Sequence, residues 1–306
     1  MVAQHSHSPR SAAVPSRAAA WLLAAALGAG AAGAQAEPGS AQALLARHAE
    51  LADELARNPY GEPLFIASSE EGDSVGGDIY AVMDHPFAQA GSALRPPASW
   101  CHILLLHVNT KQCTVEQGAG GPLLAVRIGM KHEQPLEQTQ RMAFAYRVEA
   151  ARKDYLQVRF DAPSGPLGTR DYSVNFEAVP IAGNRTFVHL RYGWSSGLAA
   201  RLAMRTYLAT GGSGKVGFSQ AGTGADGRPR LVGGMRGVVE RNTMRYYLAI
   251  DAFLASLRLP PAQQLQYRLD AWFDGTERYA RQLRETDRAS YLSLKRAEHE
   301  RQQTAS

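Results

Sequence analysis

Residues 78–113 read DIYAVMDHPFAQAGSALRPPASWCHILLLHVNTKQC, and the order of elements in this stretch decides the fold. DIYAVM reads as an apolar strand. After Asp84 the period changes: Pro86 suits a first helical turn, with Asp84 or His85 as its cap, and a short helix runs to Leu94. The prolines of RPPAS (95–99) interrupt it. WCHIL (100–104) is expected to make a second short turn before another strand containing LLLHVNTKQCTV (104–115).

Beyond this stretch the pattern is that of strands. LLAVRIGM (123–130) is followed by MAFAYRV (142–148), with Met142, Phe144, Tyr146 and Val148 on one side. The alternation recurs at Leu156, Val158 and Phe160, at Tyr172, Val174 and Phe176, and at Val188, Leu190, Tyr192 and Trp194. Gly, Pro, Asn and Asp separate these runs at short intervals, so they predict an antiparallel sheet with one apolar face. Such a face must be covered. The longest apolar stripe able to do so lies on MRGVVERNTMRYYLAIDAFLASL (235–257), where Val239, Tyr246, Ile250, Phe253 and Leu257 recur at helical spacing before Pro260 and Pro261 end the helix.

The flanks are helical. AQALLARHAELADELARN (41–58) carries Leu44, Leu45, His48, Leu51 and Leu55 on one face. Residues 198–208 form a further amphipathic segment between SSG and GGSG, read either as a lid or as a fixed packing helix. A helical tail from residue 260 loses hydrophobicity toward Ser306 and is expected to fray at its end. Strands are also expected near KVGFSQ (215–220) and RLVGG (230–234).

The chain has 306 residues and a formal net charge of +5. It opens with Arg10 and Arg17, an apolar run from Ala18 to Leu27, and the AxA pattern Ala34-Gln35-Ala36. That is the pattern of an export signal spanning 1–36, too short for a membrane span, so the mature chain is expected to begin near Glu37 and to be periplasmic or secreted. Removing the two arginines takes +5 to +3. The remaining charge is interspersed, which is not the pattern of a nucleic-acid-binding face. Two cysteines in an exported chain point to one disulfide, Cys101–Cys113, ahead of a metal pair or a reactive thiol.

Several motifs fail on context. GTGADG (222–227) matches GxGxxG yet no helix follows, so it is read as a hairpin loop. GGSGKV (211–216) lacks the first glycine of a phosphate loop, and Val216 stands where Ser or Thr must bind magnesium. His102 and His107 have no metal spacing and are read as structural; no HExxH or GxSxG occurs, and no metal or cofactor is expected. Acid–base candidates are His189, Arg191, Glu240 and Arg245, should they face a pocket. Arg236 and Glu240, four apart, are read as a surface ion pair.

In order and spacing, GGDIYAVMDHPFAQAGSALRPPASWC (76–101), GTRDYSVNFEAV (168–179) and GGMRGVVERNTMRYYLAIDAFL (233–254) resemble the START-like (SRPBCC, helix-grip) superfamily over about residues 62–257. The resemblance implies an α+β fold, a curved antiparallel β-sheet wrapped around a long C-terminal α-helix, here with extra N- and C-terminal helices. The domain would run over 62–259, after an N-terminal helix in 37–61 and before a tail in 260–306. It also implies a hydrophobic ligand, a lipid or isoprenoid-like molecule, between sheet and helix. The residues expected to bind it are Phe144, Tyr146, Val158, Phe160, Val174, Phe176, Leu190 and Tyr192 on the strands, and Tyr246, Ile250 and Phe253 on the helix. The plainer reading, in which these tyrosines and aliphatics fill an ordinary core, stays open. Two other functions stand beside the carrier: an enzyme of cyclase or hydrolase type on the same scaffold, or an interaction protein using Trp272, Phe273 and Tyr279 of the tail. Peripheral contact with a membrane is also left open.

Overall fold

The structure, a computed structural model, describes residues 39–304 apart from 199–200, 203–205 and 207–213. The export segment and most of the amphipathic segment 198–208 therefore lie outside the described residues. Helix α1 (Ala41–Glu50) is capped by Ser40, whose hydroxyl accepts the Ala43 N–H at 3.2 Å. The single helix expected over 41–58 breaks at Leu51, and α2 (Ala52–Ala56) follows, with the Asn58 side chain donating to the Glu54 and Leu55 carbonyls.

Eight antiparallel strands form the main sheet: β1 (Leu64–Glu71), β2 (Ser74–Met83), β3 (Thr110–Gly118), β4 (Gly121–Ile128), β5 (Gln140–Ala151), β6 (Leu156–Ser164), β7 (Thr169–Ile181) and β8 (Arg185–Ser196). Their spatial order is β1-β2-β8-β7-β6-β5-β4-β3. Between β2 and β3 run the two short helices α3 (Phe87–Leu94) and α4 (Pro97–Leu104). Helix α5 (Gly234–Ser256) lies across the inner face, and the sheet curves around it. A sheet that closes its strand order by pairing β2 with β8 and is gripped on a long late helix is the curved α+β helix-grip arrangement expected from the sequence.

One residue shows how closely helix and sheet approach. A Cβ on Gly77 of β2 would stand 2.6 Å from the Thr243 hydroxyl and 3.3 Å from both Val239 methyls, so only glycine lets α5 settle there. The inner face and α5 share one core with Trp100, Ile103, Phe160, Phe176, Leu190 and Ile250. On the outer face, Leu44 of α1, Leu51 at the break and Leu55 of α2 cover Val82, Tyr155, Val179 and Phe187.

Four local expectations change. Leu64–Glu71, not read as a strand, is the edge strand β1, paired with β2 across a turn at Gly72 (φ +59°). The segment 105–109 turns instead of extending, and β3 starts only at Thr110. Neither Asp84 nor His85 caps α3; Pro86 occupies the cap position, and His85 Nε2 meets Asp251 at 3.0 Å. The late strands shrink to a separate hairpin, β9 (Gln220–Thr223) and β10 (Pro229–Leu231), with GTGADG as its turn. The Cys101–Cys113 disulfide is present and ties α4 to β3.

The tail does not fray. Helices α6 (Pro261–Arg278), α7 (Ala280–Leu283) and α8 (Arg288–Thr304) pack into the main core through Leu269, Trp272, Phe273, Leu283 and Tyr291. Trp272 and Phe273 are thus buried rather than offered to a partner, and Trp272 Nε1 donates to the Arg245 carbonyl at 3.0 Å. Polar residues of α8 are internal as well. Lys295 and Glu298 are fully buried with Lys111 of β3.

Candidate functional site

A cavity of about 190 Å³ lies between the inner face of the sheet, α4 and the first half of α5. Its walls follow from the alternation of the strands, which sends every second side chain inward: Val126 and Ile128 from β4, Met142 and Phe144 from β5, Phe160 from β6, Tyr172 and Val174 from β7, Leu190 and Tyr192 from β8. Trp100, Ile103 and Leu104 of α4 close one side, and Asn242 and Tyr246 of α5 another. His107, Asn109 and Thr110 stand where α4 turns into β3.

The aromatic rings form a connected wall. Trp100 meets Phe160 edge-on at 5.1 Å between centroids, Phe160 meets Phe144 at 5.8 Å, and Phe144 meets Tyr172 at 6.4 Å. The chain continues from Tyr192 to Tyr246 at 5.2 Å and from Tyr246 to His107 at 5.3 Å. Such pairs hold their neighbours in place beyond simple burial. A bulge between Arg170 and Ser173, with Asp171 at φ +53°, brings Tyr172 beside the Thr169 hydroxyl at 2.9 Å.

Of the strand and helix residues expected at a ligand site, Phe144, Phe160, Val174, Leu190, Tyr192 and Tyr246 border the cavity. Tyr146, Val158, Phe176, Ile250 and Phe253 do not. They lie in the packed part of the same core: Trp100 covers Phe176 edge-on, the Tyr146 hydroxyl is spent on the Arg95 carbonyl at 2.6 Å, and Phe253 sits under the Arg268 guanidinium. Periodicity places a residue on a face, whereas the helix laid over that face decides whether it is covered. Trp100, His107 and Asn242 at the cavity were missed. His107 was hidden because an apolar run, LLLHVN, was read as strand where the chain turns.

The four acid–base candidates do not face the cavity. His189 is on the outer face, its Nε2 2.8 Å from Asp78 and its Nδ1 3.0 Å from Glu177, which Tyr155 also reaches at 2.5 Å. Burial alone would lower the imidazole pKa, but hydrogen bonds and charge from these two carboxylates outweigh it and raise the value. Arg191 pairs with Asp78 on the same face. Glu240 is fully buried and accepts the Phe218 and Ser219 N–H groups at 2.6 and 2.9 Å and the Ser68 hydroxyl at 2.6 Å. It anchors the 217–219 segment rather than pairing with Arg236, which donates to Ser68. Arg245 is buried against Glu285 at 2.7 Å. Among the described residues no charged side chain lines the cavity.

Tyr172, Tyr192 and Tyr246 have their phenols pushed up by burial, so all three stay neutral. His107 is pushed well down, first by burial and then by the charges of Arg245 and Lys295. Among the described residues no cluster of His, Cys, Asp and Glu could hold a metal ion, and no helix is long and apolar enough to cross a membrane. Two wider spaces, of about 360 and 370 Å³, are surface grooves, one between Asn58, Phe65 and Arg236 and the other beside Phe87 and Arg152. Both are more open than the aromatic cavity.

No protein-family model matches the chain, and no curated protein matches it. Solved structures do. Human StAR-related lipid transfer protein 5 is 9% identical, with 72% of this chain and 98% of that one covered at a TM-score of 0.35. A norcoclaurine synthase point mutant from Thalictrum flavum is 12% identical over 49% of this chain and 87% of its own, TM-score 0.32. The Zhui aromatase/cyclase from Streptomyces sp. R1128 is 12% identical over 71% and 95%, TM-score 0.29. Likeness at this level leaves the ligand to be argued from the cavity itself.

Proposed function

We propose that the chain is an exported protein that binds a small, mainly apolar molecule in the cavity beneath α5. The observation that carries the reading is an aromatic-lined space of about 190 Å³ with no charged group on its walls among the described residues. A dry apolar cavity of roughly 150 Å³ is enough for benzene, whereas drug-sized ligands occupy about 300 to 1,000 Å³. One or two fused rings fit this space as it stands. A lipid or isoprenoid would need the walls to part, and the ring-sized ligand is the reading the geometry favours. Export is supported by the signal pattern in residues 1–36 and by a disulfide suited to an oxidising compartment. Catalysis on this scaffold has less support, since the candidate acids and bases point elsewhere and the one histidine at the cavity is held neutral.

The test is a titration of the purified protein with indane, followed by thermal unfolding and calorimetry, alongside Val174→Trp. The parent should bind and gain stability with indane concentration. Val174→Trp, which fills the space, should fold and show neither effect. Equal responses from both proteins would remove the cavity as the site.

A further inference from the structure

A groove of about 370 Å³ crosses the surface where α3 passes the ends of β5 and β6. Hydrocarbon lines its floor, from Phe87, Ala88 and Gly91 on α3 and from Ala151 and Leu156 on the strands. Three cations stand on its border, Arg95, Arg152 and Lys153, and among the described residues no aspartate or glutamate joins them. The imbalance is local. On the neighbouring strands Arg147, Arg159 and Arg191 each meet a carboxylate at 3.0 Å or less. Among the described residues no carboxylate pairs with Arg95 or Lys153, and Arg152 reaches only Asp154, at 3.5 Å between two exposed side chains.

Two of these cations are fixed in place. The Arg95 carbonyl accepts the Tyr146 hydroxyl at 2.6 Å and Pro96 and Pro97 follow it, while the Arg152 guanidinium lies 5.1 Å from the centre of the Tyr155 ring. We infer that this groove binds a medium-chain carboxylate, its tail along Phe87, Ala88 and Ala151 and its head at the basic border. Charge and shape both select that class. An uncompensated cationic border attracts an anion, the head group stays at the exposed edge and keeps its water, and a concave apolar strip suits one chain better than a flat bilayer face. The groove shares no lining residue with the cavity under α5, so the two sites stand or fall separately.

Octanoate and 1-octanol carry the same chain and differ in charge, so methyl NMR titrations with both separate the head group from the tail. Octanoate should shift the methyls of Ala88, Ala151 and Leu156 and leave Met142, which lines the cavity, unmoved. In the double variant Arg95→Gln, Lys153→Gln the octanoate-to-octanol affinity ratio should fall about threefold to tenfold, the worth of two exposed ion pairs. Salt raised to about 0.5 M should lower the parent ratio in the same direction. Gly91→Leu fills the strip. A Cβ there meets only the Phe87 ring, at 3.7 Å, so the variant should keep the parent's unfolding temperature and lose both ligands. No shift at those three methyls, a shift at Met142 alone, or a ratio unchanged in the double variant would overturn the assignment. Phosphatidylglycerol vesicles that bind the parent when octanoate does not would replace it with a membrane contact at the same groove.

Discussion

Glu298→Gln should unfold this protein more readily than any surface change could, because of where the carboxylate sits. Glu298, Lys295 and Lys111 are all fully buried. Glu298 accepts from Lys111 Nζ at 2.9 Å and from Lys295 Nζ at 2.7 Å. Lys111 also donates to the Val108 and His132 carbonyls, and Lys295 to those of His107 and Thr110. One carboxylate thus serves two ammonium groups, and burial already lowers Lys295 to about 8. Glutamine removes the only negative charge in the cluster. Breaking a buried pair in this way costs about 3 to 5 kcal/mol. The cost is largest where Lys295 is protonated, near pH 6.5, and smaller at pH 9, where Lys295 is largely neutral with or without Glu298. Urea unfolding followed by circular dichroism at both pH values measures it. A loss below about 1 kcal/mol at pH 6.5, against the 3 to 5 expected of a buried pair, would mean that α8 does not dock on β3. Replacing all three by apolar residues, Lys111→Met, Lys295→Met and Glu298→Leu, should recover most of the stability, since such clusters are often no better than well-packed hydrocarbon.

Two other outcomes follow from single contacts. Gly77→Ala places a Cβ 2.6 Å from the Thr243 hydroxyl, so α5 must shift, and chemical unfolding should show a loss of about 1 to 3 kcal/mol; a neutral result would mean that helix and sheet are not so close. His189 has a raised pKa in the fold, so its ionic contribution is complete below the ordinary imidazole value and fades as pH climbs through the folded one. Asp78 and Glu177, whose pKa values are lowered, contribute above the ordinary carboxylate range and lose that contribution as pH falls through theirs. His189→Gln should therefore cost about 2 kcal/mol at pH 6 and less at pH 9, and a cost independent of pH would contradict the Asp78–His189–Glu177 arrangement.

The sequence carried the sheet well where one face is wet. From Met142 to Trp194 the alternation marks the inner residues strand by strand, and the structure keeps that assignment except at Val148, which is exposed where the register shifts before Ala150. It carried less where the chain is buried on both sides or turns inside the core. Leu64–Glu71 is short and ends in Ser and Glu, so its edge-strand role rests on pairing with β2 rather than on its own pattern. His107 follows three leucines that mimic a strand, yet the backbone there turns. The falling hydrophobicity of residues 288–304 suggested a loose end because Lys295 and Glu298 count as polar, though both are buried in one cluster with Lys111. The i, i+3 spacing of those two charges, with Tyr291 and Leu294 beside them, was the available signal. The division of one apolar face into cavity and packed core depends on Trp100, which comes from a helix distant in sequence from the strands it covers.

The most direct test of a ligand space under α5 is a crystal structure of the protein soaked with iodobenzene, read by anomalous scattering. The account predicts one strong iodine peak bounded by Phe144, Val174, Leu190 and Tyr246. A map with no peak there, and those four side chains closed on one another, would contradict it.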